Sequence, residues 1–143
     1  MLTPSSKLQI PNFSIHIALE INRIKSYVQN DVMVAEHEWS AEFKKGGVQL
    51  SIMALLKKGR KYGFQIIKEL REKSNGYFDL KEGTLYPALH RLEKRGYLKS
   101  EWVTEGDRPP RKYYVLTKSG RDVLKSASSE WYKMVDSMKN VLE

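Results

Sequence analysis

The stretch Gly83 to Leu98, GTLYPALHRLEKRGYL, constrains this chain more than any other, because its apolar residues fit one helical phase and a basic ribbon follows at once. With Leu85, Leu89 and Leu92 as the buried stripe, a step of about 100° per residue turns Pro87, His90 and Lys94 to the opposite side, with Tyr86 and Arg91 flanking. Pro87 falls in the first turn, where its missing N–H is no loss, and Gly96 is well placed as a C-terminal stop. The spacing predicts a helix from Gly83 or Thr84 to Arg95. Behind it, Leu98 to Thr104 and Arg111 to Leu116 are rich in β-formers. They flank Glu105-Gly106-Asp107-Arg108-Pro109-Pro110, which predicts a hairpin with a long, proline-stiffened tip. A short helix followed by a wing-like ribbon is the layout of a unit that reads a DNA groove.

Three further helices are expected around this pair. Trp39 to Lys57 reads as a largely buried rod, through Phe43, Gly47, Leu50 and Ala54 with the neighbouring Ile52, Met53, Leu55 and Leu56, and Gly46-Gly47 suits a close crossing by another helix. Tyr62 to Lys73 reads as a second helix, with Phe64, Ile67 and Leu70 on one face, ended by the turn Ser74-Asn75-Gly76. Thr117 is a good N-cap for a last helix running nearly to Glu143. Along that helix Leu124, Ala127, Trp131, Met134, Met138 and Val141 recur at alternating steps of three and four, a heptad seam suited to self-association.

The N-terminal region is less regular. Residues 1–12 are polar and interrupted by Pro4 and Pro11, and read as a loose tail. From Phe13 the pattern fits both periods, but the helical series through Ile17, Ile21, Ile24 and Val28 runs longer than the alternation, so a helix is expected there. Residues 1–37 sum to zero charge, so the net +8 of the 143-residue chain lies entirely beyond them. One reading of residues 1–32 is therefore an over-long gene model, with Met33 as the natural start.

A net +8 favours a polyanionic partner. Between Lys81 and Lys112, eight cations stand against five carboxylates. On the predicted helix, His90 and Arg91 suit base edges, Tyr86 and Lys94 suit sugar or phosphate, and the first N–H groups suit a phosphate. Arg108, Arg111 and Lys112 stand at or beside the hairpin tip. Taken alone, the helix residues are equally the solvated face of an amphipathic helix, and the same elements would also serve a winged-helix module that binds protein. Trp131 on the heptad seam reads first as a packing anchor. In a symmetric dimer two copies, softened by Met134 and Met138, would line a slot for a flat aromatic molecule.

Other chemistries find no support. The chain has no cysteine, hence no disulfide framework, thiolate metal site or cysteine nucleophile. His16, His37 and His90 are scattered without metal-ligand spacing, Gly46-Gly47 lacks the ending of a phosphate loop, and no serine sits in a nucleophile elbow. Neither an enzyme, a cofactor nor a metal site is expected. No apolar run approaches the ~18 residues of a membrane span and no export signal opens the chain, so a cytoplasmic protein is expected and the sequon Asn12-Phe13-Ser14 reads as chance.

Three groups of residues resemble one known family: Lys61-Tyr62-Gly63-Phe64 with Ile66 to Leu70, then Glu82 to Gly96, then Lys112-Tyr113-Tyr114 with Leu116-Thr117 and Gly120. In these the chain is similar to the PadR family of transcriptional regulators over about Phe43 to Leu142, and Gly-Thr-Leu-Tyr-Pro-Ala-Leu followed by Arg91-Leu92-Glu93 is the most specific part. The resemblance implies a mainly α fold with a β-hairpin wing: a winged helix-turn-helix domain plus a C-terminal dimerisation helix. Domain bounds of 1–37 for the extension, 38–117 for the DNA-binding domain and 118–143 for the dimerisation helix are expected on that basis. It also implies a homodimeric regulator on double-stranded DNA, repression relieved by a small molecule in some members, and Tyr62, Thr84, Tyr86, Pro87, Arg108 and Lys112 near DNA. Short-tailed members in some cases place a tryptophan matching Trp131 in an aromatic-ligand pore, which implies a ligand and dimer surface around Leu124, Trp131, Met134 and Met138. The extension before Met33 departs from the common pattern.

Overall fold

The computed structural model describes residues 10–143, with side chains from Ile15 onward except at positions 32 and 34–37. Its elements in order are α1 (Ile10–Leu56), β1 (Lys61–Tyr62), α2 (Gly63–Lys73), α3 (Glu82–Lys94), β2 (Leu98–Val103), β3 (Arg111–Leu116) and α4 (Lys118–Leu142). The chain divides into two compact units, Met1–Glu42 and Phe43–Glu143. The second holds the core and every element after α1.

Two expectations for the first helix are corrected. The helix expected from Phe13 and the one expected from Trp39 are a single helix that begins at Ile10, so residues 10–12 of the expected tail belong to it. The reason is legible in hindsight: Pro11 falls in the first turn, where proline is tolerated, and neither glycine nor proline recurs before Gly46 to stop the helix. The remainder of the expected tail, residues 1–9, lies outside the described residues. Within the second unit Ile52, Met53, Leu55 and Leu56 are buried as expected, together with Gly47 and Val48, whereas Phe43 and Ala54 are exposed against expectation. A close approach does occur at Gly47, where a Cβ would stand 2.9 Å from Cζ of Phe78; the neighbour is a ring from the α2–α3 connection, not a crossing helix.

In α2 the expected phase is off by one position. Gly63, Ile66 and Leu70 are buried and Phe64 is exposed, because spacing of three and four through Gly63 carries the inward face. The helix opens with the Gln65 carboxamide oxygen accepting from the Tyr62 N–H at 3.2 Å. In α3 Leu85, Ala88, Leu89 and Leu92 are fully buried, as the predicted phase requires, and Gly96 follows the C-cap with φ +77°.

The sheet has the order β1-β3-β2 and is antiparallel throughout. The expected hairpin is present with its first strand ending at Val103. The two-residue β1, which sequence reasoning read as the start of a helix, pairs Lys61 with Tyr114 and Tyr62 with Tyr113. Leu98, Tyr114 and Leu116 project from one sheet face into the core shared with α1, α2, α3 and Leu124 of α4.

Thr117 caps α4 as expected, its Oγ1 accepting from the Gly120 N–H at 3.0 Å. Its own N–H donates to the Tyr97 carbonyl at 3.0 Å, tying the start of α4 to the entry of β2. Gly120 lies so close to that carbonyl oxygen that any Cβ would collide with it. Beyond Leu124 the helix lifts away from the core: Trp131 is half-buried, and Met134, Met138, Val141 and Leu142 are exposed.

Candidate nucleic-acid interface

The burial of Leu85, Ala88, Leu89 and Leu92 forces the rest of α3 outward. Thr84, Tyr86, Pro87, His90, Arg91 and Lys94 are all exposed, and none forms a side-chain hydrogen bond or ion pair with the described residues. Tyr86 leans over the start of α2, where a Cβ on Gly63 would lie 2.6 Å from its hydroxyl. Only a glycine there leaves room for the ring, which explains locally why Tyr62-Gly63 and Tyr86 belong together. The N-terminus of α3 has no side-chain cap, but Glu82 occupies its first turn and makes that end less suited to an anion.

The wing separates residues that the sequence places side by side. Side chains alternate across a strand, so Arg111 and Tyr113 lie on one face of β3 and Lys112 and Tyr114 on the other. On the face away from the core, Tyr62 and Tyr113 meet edge to face with centroids 5.4 Å apart. Arg111 lies over the Tyr62 ring at 4.6 Å and Arg60 over the Tyr113 ring at 4.9 Å. Glu101 accepts from Arg60 at 3.2 Å, and Glu105 is 3.9 Å from the same guanidinium. Arg108 is exposed at the tip beside Glu105, Pro109 and Arg111.

On the core-side face, Lys112 is half-buried with its Nζ 5.6 Å from the Tyr114 ring centre. Tyr114 in turn senses α3. Burial, then the negative charge of Glu93, then Tyr86 hold its hydroxyl above the ordinary tyrosine range. Glu93 itself has one buried carboxylate oxygen without a hydrogen bond among the described residues. Arg60, Phe64 and Trp102, absent from the sequence-predicted site, lie exposed around it. Arg60 and Trp102 had no local motif to mark them; Phe64 was hidden by the wrong helical phase.

The second predicted site is brought together only in part. Leu124 lines a groove of about 540 Å³ with Ala54, Lys57, Arg121 and Lys125. Trp131 lines an adjoining hollow of about 220 Å³ with Gly47, Leu50, Ala54, Phe78 and Tyr132. Met134 and Met138 line neither. Among the described residues there is no cluster of three acidic or histidine side chains that would hold a metal, and no helix is long and apolar enough to cross a membrane.

A helix-turn-helix formed by α2 and α3, backed by α1 and followed by a β-hairpin that leaves the core, defines a winged-helix protein. The chain belongs to the PadR-like family of transcriptional regulators, whose family model matches residues 52–126. It is 37% identical over 83 residues to a transcriptional regulator of Mycobacterium tuberculosis, covering 58% of this chain and 74% of that protein. A transcriptional regulator from Clostridium thermocellum has a TM-score of 0.66 at 34% identity, with 71% of this chain and 99% of that one covered. Bacillus subtilis PadR, solved with operator DNA, has a TM-score of 0.51 at 28% identity over 55% of this chain and 45% of that one. The family is one of transcriptional regulators and not of enzymes.

Proposed function

We propose that this chain is a dimeric, sequence-specific DNA-binding repressor. In this reading α3 enters the major groove, where His90 and Arg91 reach base edges while Thr84, Tyr86, Pro87 and Lys94 meet sugar and phosphate. Tyr62, Arg108, Arg111 and Lys112 supply further backbone contacts from the start of α2 and from the wing. The observation that carries the reading is the outer side of α3, six exposed residues with no side-chain polar partner among the described residues, beside a wing that carries four cations, Lys99, Arg108, Arg111 and Lys112. The operator complex of the Bacillus subtilis relative supports it.

Dimerisation is assigned to α4, whose stripe of Trp131, Met134, Met138 and Val141 leaves the core and offers a second copy an apolar seam. The hollow beside Trp131 is then a slot for a small aromatic effector that relieves repression. A two-fold dimer requires a palindromic operator with half-sites about one turn, roughly 34 Å, apart. Sequences selected from random DNA by the full chain should show that symmetry. With about six phosphate contacts, log K against log salt should slope near −5. A flat salt response on the selected duplex overturns the reading. For the effector, Trp131→Ala should lose ligand affinity and operator release together.

A further inference from the structure

We infer that Trp102, on the outer half of the wing, is a DNA contact residue that packs its indole against deoxyribose beside a phosphate held by Lys112. The inference rests on the DNA-binding reading above and extends it to a residue that no motif marks.

Register places the two side by side. Leu98, Ser100 and Trp102 share one face of β2, opposite Leu116, Tyr114 and Lys112 respectively. The first of these pairs is buried in the core, and the second includes Tyr114, whose ionisation is coupled to Glu93 and Tyr86 of α3. Trp102 and Lys112 are the next step outward on the same face, two residues or about 7 Å further along the strand. The buried Tyr114 thus stands between Glu93 and Tyr86 of α3, which raise its ionisation, and Lys112 of the outer pair, whose ammonium lies over its ring.

Trp102 is bare in a way that calls for a covering. It is 71% exposed, and its indole has no ring contact and no hydrogen bond among the described residues. Strand β2 is the sheet edge, so no further strand covers that side. Lys112 stacks on Tyr114 rather than on the indole, and its ammonium stands on the same face. A cation beside an exposed aromatic whose N–H is free matches the alternation of phosphate and sugar along a nucleic-acid backbone, and the opposite face of the wing is already closed by Arg60 with Glu101 and Glu105.

The test uses the full chain and a duplex that the wild type selects from random DNA. Trp102→Ala should weaken binding on the order of tenfold with the salt slope unchanged, because no counterion is released by an indole, and Trp102→Phe should recover most of the loss. Lys112→Ala should lower the salt slope by about 1. Compared with Trp102→Phe, wild-type protein should show an indole emission that the duplex quenches and shields from acrylamide. Wild-type binding with no loss in Trp102→Ala and no shielding would overturn this inference and leave the DNA-binding reading standing. A wild type that selects no sequence would sink both.

Discussion

On the face of the wing turned from the core, Arg60 and Arg111 lie over Tyr113 and Tyr62, and Glu101 and Glu105 pair with Arg60. On the face turned toward α3, Lys112 and Trp102 stand opposite each other with no carboxylate paired to either among the described residues. The two faces hold similar side chains and differ in what those side chains have left to offer a ligand. A count of charges along the ribbon cannot make this distinction, because the strand period of two deals neighbouring residues to opposite sides. On the first face the side chains hold one another in a small stabilising cluster, and on the second Lys112 and Trp102 have no carboxylate partner among the described residues, which is what the proposed DNA contact there draws on. That division makes the effects of mutation separable.

The largest expected effect is on the closed face. Tyr113 is 7% exposed and carries both the Arg60 stack and the edge contact with Tyr62. Tyr113→Ala should cost about 3 kcal/mol of folding stability, as large aromatic truncations do, and lower Tm by roughly 10–20 °C. Trp102→Ala should shift stability by less than about 0.5 kcal/mol, since its ring touches so little. Calorimetry on the two variants checks this, and equal losses would break the division.

Next comes a change that leaves the wing alone. A methyl at Gly63 would stand 2.6 Å from the Tyr86 hydroxyl, so Gly63→Ala must swing that exposed ring off the start of α2. Operator affinity should fall about tenfold, or ~1.4 kcal/mol, if Tyr86 is worth an ordinary contact. Anisotropy titration beside a thermal melt would separate lost binding from lost folding. A smaller contrast concerns salt. Arg60→Ala should leave the salt slope of operator binding unchanged and cost no more than ~1 kcal/mol of stability, because its ion pairs are half exposed. A fall of about 1 in that slope would put Arg60 on DNA and erase the difference between the faces.

The sequence disclosed α3 almost completely, because a stripe of leucines with a step near 100° leaves a single choice of buried side. It disclosed the cap of α4 as well, since Thr117 and Gly120 act within one turn. Phe64 was misplaced because the series Phe64, Ile67 and Leu70 fits the helical period about as well as the series through the buried Gly63 and Ile66, and the importance of Gly63 comes from Tyr86 on another helix. Strand β1 was invisible for a related reason: two residues carry no period, and only β3 makes them a strand. The split of Arg111 from Lys112 was present in principle in the alternation of β3. Its meaning depended on Arg60 and Tyr62 at β1 and on Glu101 of β2, which lie far from β3 or across the hairpin from it in the chain.

The smallest expected effect concerns the ring on which Lys112 rests. The Tyr114 hydroxyl is held above the ordinary value of 10.0, first by burial, then by Glu93, then by Tyr86. The unfolded chain therefore gives up this proton first as pH rises. The stability linked to Tyr114 is fully present below about pH 10 and is lost as pH climbs through the folded value, the direction opposite to a depressed carboxylate. Tyr114→Phe keeps the ring beneath Lys112 and removes the titrating group. Urea unfolding from pH 8 to 11 should give a shallower alkaline decline for the variant than for the wild type, with operator affinity at neutral pH little changed. If the two declines superimpose, the burial of Tyr114 between α3 and the wing does not govern its ionisation. The electrostatic link from Tyr86 to the Lys112 face would then fail, while the packing of that face would remain.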